Sequence, residues 1–294
     1  MTCPTDNVLA QLVDGLLDDI TRVTIERHLD ACVACSDLVA ELAQLLAPPP
    51  PAPVGYRLLR ELSPETWEAE APNGDRVAIS FGSCSPSLVA VRDPHVVHVE
   101  QVGALDGKGF VIHALTGMTV RAWCDHRPRT PAEILAVWRR ALAGLAALHR
   151  AGVMHEVSPD HVFVDGDEVR VGAFTAALGK TSGYLAPERL HGAPASQRAD
   201  QYAACVAIWE ALAGDKPFSG ATIGALAVST SMPPAPPDAS FRPLVRGLAV
   251  DPAARWPDLE SLAGALGRRS QTGATLLAIA IAALIVLLAL LARG

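Results

Sequence analysis

Apolar positions recur at helical spacing near the amino terminus: Val8, Leu9, Leu12 and Leu16 on one segment, Ile25 and Leu29 on the next, and Leu38, Leu42 and Leu45 on a third. The pattern then changes. Tyr56–Leu62 and Arg76–Phe81 read as strands, the second following an Asn73-Gly74 turn. Between residues 133 and 151 the helical period returns on Ile134, Val137, Trp138, Leu142, Leu145 and Leu148, and further helices are expected over 201–213 and 259–266. Strands first and helices after predict an α+β unit of two lobes.

A different pattern fills residues 274–292, ATLLAIAIAALIVLLALLA, which hold no charge, proline or glycine. At about 1.5 Å per residue this run matches the ~30 Å hydrocarbon core of a bilayer, whereas a buried core helix ordinarily keeps a polar stripe. A single transmembrane helix is expected there. Arg268 and Arg269 precede it and Arg293 follows, which places the bulk of the chain on the cytoplasmic side. The start of the chain lacks a basic stretch leading into an apolar core, so no secretory signal is read.

Composition sharpens the division. The chain has 294 residues and a net charge of −7, which argues against a nucleic-acid-binding surface. Residues 1–47 carry eight acids against Arg22 and Arg27 alone, so nearly all of the excess charge is at the amino terminus. Residues 48–55 are a proline-rich linker of extended polyproline character.

Three of the six cysteines lie in the first 35 residues, in the arrangement Cys3…His28-x3-Cys32-x2-Cys35. His28 and Cys32 would share a helix face, Cys35 would close across the helix end, and Cys3 would return from the amino terminus as a fourth ligand. Such a set favours structural zinc, because four protein ligands leave no open position for catalysis. The alternative is a helical hairpin whose cysteines are small apolar residues, and Cys3 is the least secure ligand of the four. Cys84, Cys124 and Cys205 are scattered and read as inert. Through CPTDNVLAQLVDGLL and ERHLDACVAC, residues 1–47 resemble the zinc-binding anti-sigma domain of bacteria. That resemblance implies a helical zinc module that clamps a sigma factor, and an acidic surface suits a basic partner. A docking module for another protein is the alternative.

Five fragments follow in order: GVMHEVSPDHVFVDG, VRVGAFTAA, SGYLAPERL, RADQYAACVAIWEALAGDKPF and DPAARWP. They resemble landmarks of bacterial eukaryotic-like Ser/Thr protein kinases over residues 56–267. The resemblance implies a bilobal kinase-like fold, with an N-lobe over about 56–116 and a C-lobe over about 117–267. It also shows what the chain lacks. Phosphoryl transfer needs a glycine-rich loop, a strand Lys held by a helix Glu, a catalytic Asp, and an Asn and Asp on magnesium. Here Ser63–Trp67 has no glycine, and Ser80 stands at the Lys position of V-A-I-K. Only 11 residues separate Phe81 from Asp93, too few for the usual helix, so the N-lobe is reduced and no Glu is assigned. The catalytic loop reads in two registers, with Glu156 or Val157 at the Asp position and His161 at the Asn position in the first. Ala173 replaces the metal-binding Asp. Glu188, Asp200 and Arg255, which the resemblance makes structural, are kept; Asp165 and Asp167 read as a hairpin turn.

The expectation is therefore a membrane-anchored pseudokinase at the inner face of the cytoplasmic membrane. It would act as a signalling scaffold through protein partners, a sigma factor or a member of a kinase pathway among them, without direct nucleic-acid binding. Zinc is the expected cofactor, bound by Cys3, His28, Cys32 and Cys35. ATP and magnesium are expected to bind weakly or not at all, and no catalytic or nucleotide-binding residue is assigned. The rival readings are a weak Ser/Thr kinase using Glu156 and an anti-sigma factor acting through residues 1–47.

Overall fold

The computed structural model describes residues 3–13, 15–29, 32, 35–36, 38–39, 49–63, 65–82, 84–172, 182–220, 223–232, 234–237 and 241–267. The chain divides into two compact units, Met1–Ala52 and Pro53–Gly294.

In the first unit, α1 (Asp6–Val13) and α2 (Asp19–Leu29) meet around Leu9, Ile25 and Cys35. Gly15 takes φ 69°, and the Gly15 and Leu16 amides reach back to the carbonyls of Leu12 and Gln11 at 3.2 and 2.9 Å. These bonds end α1 early. Leu16 thereby leaves the apolar face expected for it and is exposed, while Leu17 packs on the core instead. The Asp18 carboxylate caps α2 by accepting from the Ile20 and Thr21 amides at 3.1 and 3.0 Å. Because α2 stops at Leu29, Cys32 is outside the helix that was expected to carry it beside His28. Helix resumes at residues 35–36 and 38–39; Leu42 and Leu45 lie outside the described residues.

The second unit opens with a five-stranded antiparallel sheet. Its strands are β1 (Arg57–Ser63), β2 (Thr66–Glu70), β3 (Arg76–Phe81), β4 (Val99–Leu105) and β5 (Lys108–Ala114), ordered β1-β2-β3-β5-β4. Alternation gives the sheet two faces. Val77, Ile79, Phe81, Phe110 and Ile112 form a small core on one face, with Trp67 against it. The other face presents Ser80, Val111 and His113, with Ser80 paired to Val111 and Ala78 to His113 across β3 and β5. A 3-10 turn, Pro86–Ala90, is the one helical element between β3 and β4 among the described residues.

The remainder is mainly helical. Its elements are α3 (Val120–His126), α4 (Pro131–Arg150), α5 (Pro187–Leu190), α6 (Gln197–Ala213), α7 (Ile223–Ser229) and α8 (Arg242–Gly247), with helix also over 259–267. A small sheet of β6 (Met118–Thr119), β7 (Val162–Asp165) and β8 (Glu168–Val171) sits among them, the last two joined by the Asp165–Glu168 turn. Thr130 and Glu133 cap α4 reciprocally, and Trp138, Leu142, Leu145 and Leu148 bury its inner face. The segment before β4 bonds to β8, Val97 N–H to Val171 O and Val171 N–H to His95 O, both at 2.8 Å. It presses onto α4 at Gly144, where a Cβ would lie 2.1 Å from the His95 carbonyl oxygen.

Arg255 ties the helical region together. Fully buried, it forms a bidentate pair with Glu188 at 2.7 and 2.7 Å and donates to the carbonyls of Ala249 and Arg198. Among the described residues no helix is long and apolar enough to cross a membrane, and the expected span 274–292 lies outside them.

Glu188→Ala strands a buried guanidinium and should lower the unfolding free energy by about 3 kcal/mol or more in urea titration. Arg57→Ala, which breaks an exposed pair with Glu70, should cost less than about 1 kcal/mol.

Candidate functional site

Two clusters carry chemistry, one in each unit. In the first, the ligand atoms of Cys3, His28, Cys32 and Cys35 all lie within 4.8 Å of one another, with the Cys3 and Cys32 sulfurs 3.9 Å apart. His28 Nε2 is buried and makes no hydrogen bond among the described residues. Burial, helped by the neighbouring Cys3 and Cys32, pushes the Cys35 thiol up to about 12. Three thiols and an unpartnered imidazole nitrogen packed this closely fit a cation, since a divalent ion converts thiols to thiolates and gives the nitrogen a partner. The cluster could hold a metal ion, and its sulfur-rich set of four donors is compatible with zinc. Sequence spacing anticipated all four residues, although the helix end between His28 and Cys32 does the positioning.

In the second unit, the expected Lys position is the middle of a buried hydrogen-bonded chain. Ser80 has no solvent exposure; its Oγ lies 3.0 Å from Thr66 Oγ1 and 3.0 Å from His113 Nε2. His113 Nδ1 lies 3.0 Å from the Ala114 carbonyl and therefore carries the proton. Nε2 then accepts from Ser80, and Ser80 accepts from Thr66. Burial holds His113 down at about 4, so the whole chain is neutral near pH 7. Neither Thr66 nor His113 was singled out by the sequence; each sits alone in a strand, and only cross-strand register joins them to Ser80.

The loop after α4 is held from below. Asp200, fully buried, accepts from the His155 amide at 2.8 Å and lies 2.7 Å from His149 Nε2. His155 packs against His161 with ring centroids 5.0 Å apart and planes tilted by 38°, and burial lowers His155 to about 3 and His161 below its usual range. His161 Nδ1 lies 3.3 Å from the Ser158 amide and 3.2 Å from the Glu156 carbonyl, so either tautomer finds a partner inside the loop. Glu156 is ion-paired with Arg189, which also donates to the Ala193 carbonyl. Val157 is buried in the main core. Both residues that compete for the catalytic Asp position are thus engaged elsewhere. Ala173 lies outside the described residues.

Beside this loop Arg121 gathers acids. Its Nε meets both Asp160 oxygens at 2.9 and 3.0 Å, Nη1 meets Glu210 at 3.3 Å, and Nη2 donates to Tyr184 Oη at 2.8 Å. Tyr184 in turn donates to Glu210 at 2.6 Å. The network ties α3, the loop, α6 and the approach to α5 into one piece, and nothing in the local sequence around Arg121 signals it.

Chelating the metal cluster should unfold α1 and α2, read as lost helical circular dichroism together with release of about one metal ion per chain. His28→Ala should reproduce that loss; an unchanged spectrum in both cases refutes a structural ion. A second expectation concerns pH. His113 titrates near 4 when folded and near 6.5 when unfolded, so its neutral form stabilises the fold above pH 6.5. That contribution fades as pH falls from about 6.5 to about 4, by an amount on the order of 3 kcal/mol. Stability measured across this window should decline, and His113→Asn should reduce the decline, leaving the part that comes from His155.

No protein-family model matches the chain. Over 238 residues it is 31% identical to the Ser/Thr protein kinase PkaB of Streptomyces coelicolor, covering 70% of this chain and 55% of that kinase. Over 200 residues it is 30% identical to the Ser/Thr protein kinase PknD of Mycobacterium tuberculosis, covering 59% of this chain and 30% of the relative. The chain thus spans between about a third and about half the length of these relatives. Among solved structures it resembles the Mycobacterium tuberculosis PknI kinase domain, with a TM-score of 0.60 at 22% identity over 74% of this chain and 96% of that one. The chain has a protein-kinase-like fold, and its homologues are bacterial Ser/Thr protein kinases.

Proposed function

We propose that this chain is a pseudokinase: a degenerate relative of bacterial Ser/Thr protein kinases that works as a signalling scaffold through protein contacts. The observation that carries this reading is the neutral chain Thr66–Ser80–His113. A transferring phosphoryl group needs cations aimed at its oxygens, and the strand position of the expected Lys offers a buried hydroxyl that both its neighbours already satisfy. The ion pair of Glu156 with Arg189 supports the same conclusion from the floor, since a carboxylate so held is a brace and not a free base.

The first unit supplies a second docking body in this proposal. Zinc held by Cys3, His28, Cys32 and Cys35 keeps its short helices in register, and its acidic surface selects a basic protein partner, a sigma factor or a member of a kinase pathway. Residues 274–292 anchor the chain in the membrane, with Arg268 and Arg269 on the cytoplasmic side.

The test is nucleotide binding by the full chain reconstituted in lipid nanodiscs. A ligand at a hundred times its dissociation constant stabilises the folded state by about 2.7 kcal/mol, a readily visible shift. Millimolar ATP with magnesium should leave the melting temperature unchanged, and γ-phosphate should not be incorporated into the chain or a general protein substrate. A magnesium-dependent rise in melting temperature, or incorporation that disappears in Glu156→Ala, overturns the reading.

A further inference from the structure

α3, the start of α4, Pro159 and the end of α6 line a partly open cavity of about 410 Å³. That size lies within the ~300–1,000 Å³ of small-molecule sites, which combine an apolar body with a few directed polar groups. The apolar lining is Val120, Ile134, Pro159, Ala211 and Leu212. Two of its cations differ sharply in their state. Arg121 is fully engaged by Asp160, Glu210 and Tyr184. Arg129 is not: its Nε donates to the Trp123 carbonyl at 2.9 Å, its plane lies 3.9 Å from the Trp123 ring centre, and its terminal amino groups make no hydrogen bond among the described residues.

Among the described residues no carboxylate lies within ion-pair distance of that guanidinium. Glu210 is held by Tyr184 and Arg121, and Asp125 is exposed at the rim.

We propose that this cavity binds a small planar aromatic carboxylate. The two terminal amino groups of Arg129 match the two oxygens of a carboxylate, a geometry a single ammonium does not offer. Trp123 covers one face of the guanidinium, and an aromatic ring extends the stack on the side open to the cavity. Val120, Ile134 and Leu212 take the hydrocarbon body out of water. A bound ligand would rest against α3, the helix through which Arg121 holds Asp160 of the loop.

Cys124 also lines the cavity and provides the readout, with Cys84 of the same unit as the comparison thiol. The full chain in nanodiscs is titrated with naphthalene-2-carboxylate, and N-ethylmaleimide labelling of each cysteine is followed by peptide mass spectrometry. The expected result is saturable slowing at Cys124 with no change at Cys84, and no slowing by naphthalene-2-methylamine. Arg129→Gln should weaken the protection about tenfold, the size expected for a lost charge-assisted pair. Ala211→Trp, which fills the cavity with an indole, should abolish the dependence on ligand while the melting temperature reports an intact fold. Equal protection of both cysteines, protection that survives Arg129→Gln unchanged, or none at millimolar ligand overturns the proposal.

Discussion

Asp200 lies in the first turn of α6 without contact to solvent, and a carboxylate in that position is tolerated only while it is bonded. One of its oxygens takes both the His155 amide and the His149 ring, so it joins α6, the end of α4 and the loop that follows α4. Everything in that loop hangs from this point. With the backbone fixed at His155, Val157 turns into the core, Glu156 turns to Arg189, and His161 folds back over the His155 ring. The Arg255–Glu188 pair has the same role in the next layer out, binding the start of α5 to the segment before the last helix.

The sheet above the loop follows a different rule. Where a charged side chain would need a counter-ion or water, Ser80 lets the strands close. Its hydroxyl is short enough to meet Thr66 on β2 and His113 on β5 within the thickness of the sheet, and each member of the chain satisfies the next. Among the described residues charge is thus retained where it braces the fold, at Asp200, Glu188, Arg255 and Arg121, while the buried sheet position of Ser80 carries none. That separation supports the scaffold role proposed for the central unit.

Legibility from sequence varied with how local the cause was. The strand Arg76–Phe81 and the helix around Trp138 were plain, because their periods lie within one element. The hairpin of β4 and β5 was missed although Asp106-Gly107 marks its turn; the flanking residues run apolar without clear alternation because β5 is buried on both faces. Leu16 was placed on a helix that Gly15 had already ended, a stop set by backbone hydrogen bonds and not by hydrophobicity.

The sequence by itself determined which chemical groups exist: three thiols and an imidazole at a spacing that suits a metal, a serine where a lysine was expected, and an apolar run long enough for a bilayer. It also marked the elements whose period lies within one segment, such as the strand Arg76–Phe81 and the helix around Trp138. Only the tertiary structure decided how those groups are used. Whether Ser80 faced an open cleft or a histidine depended on register between strands 33 residues apart, and whether Glu156 was free depended on Arg189, another 33 residues along. Pairings of that kind arise from packing between elements, and no local pattern encodes them.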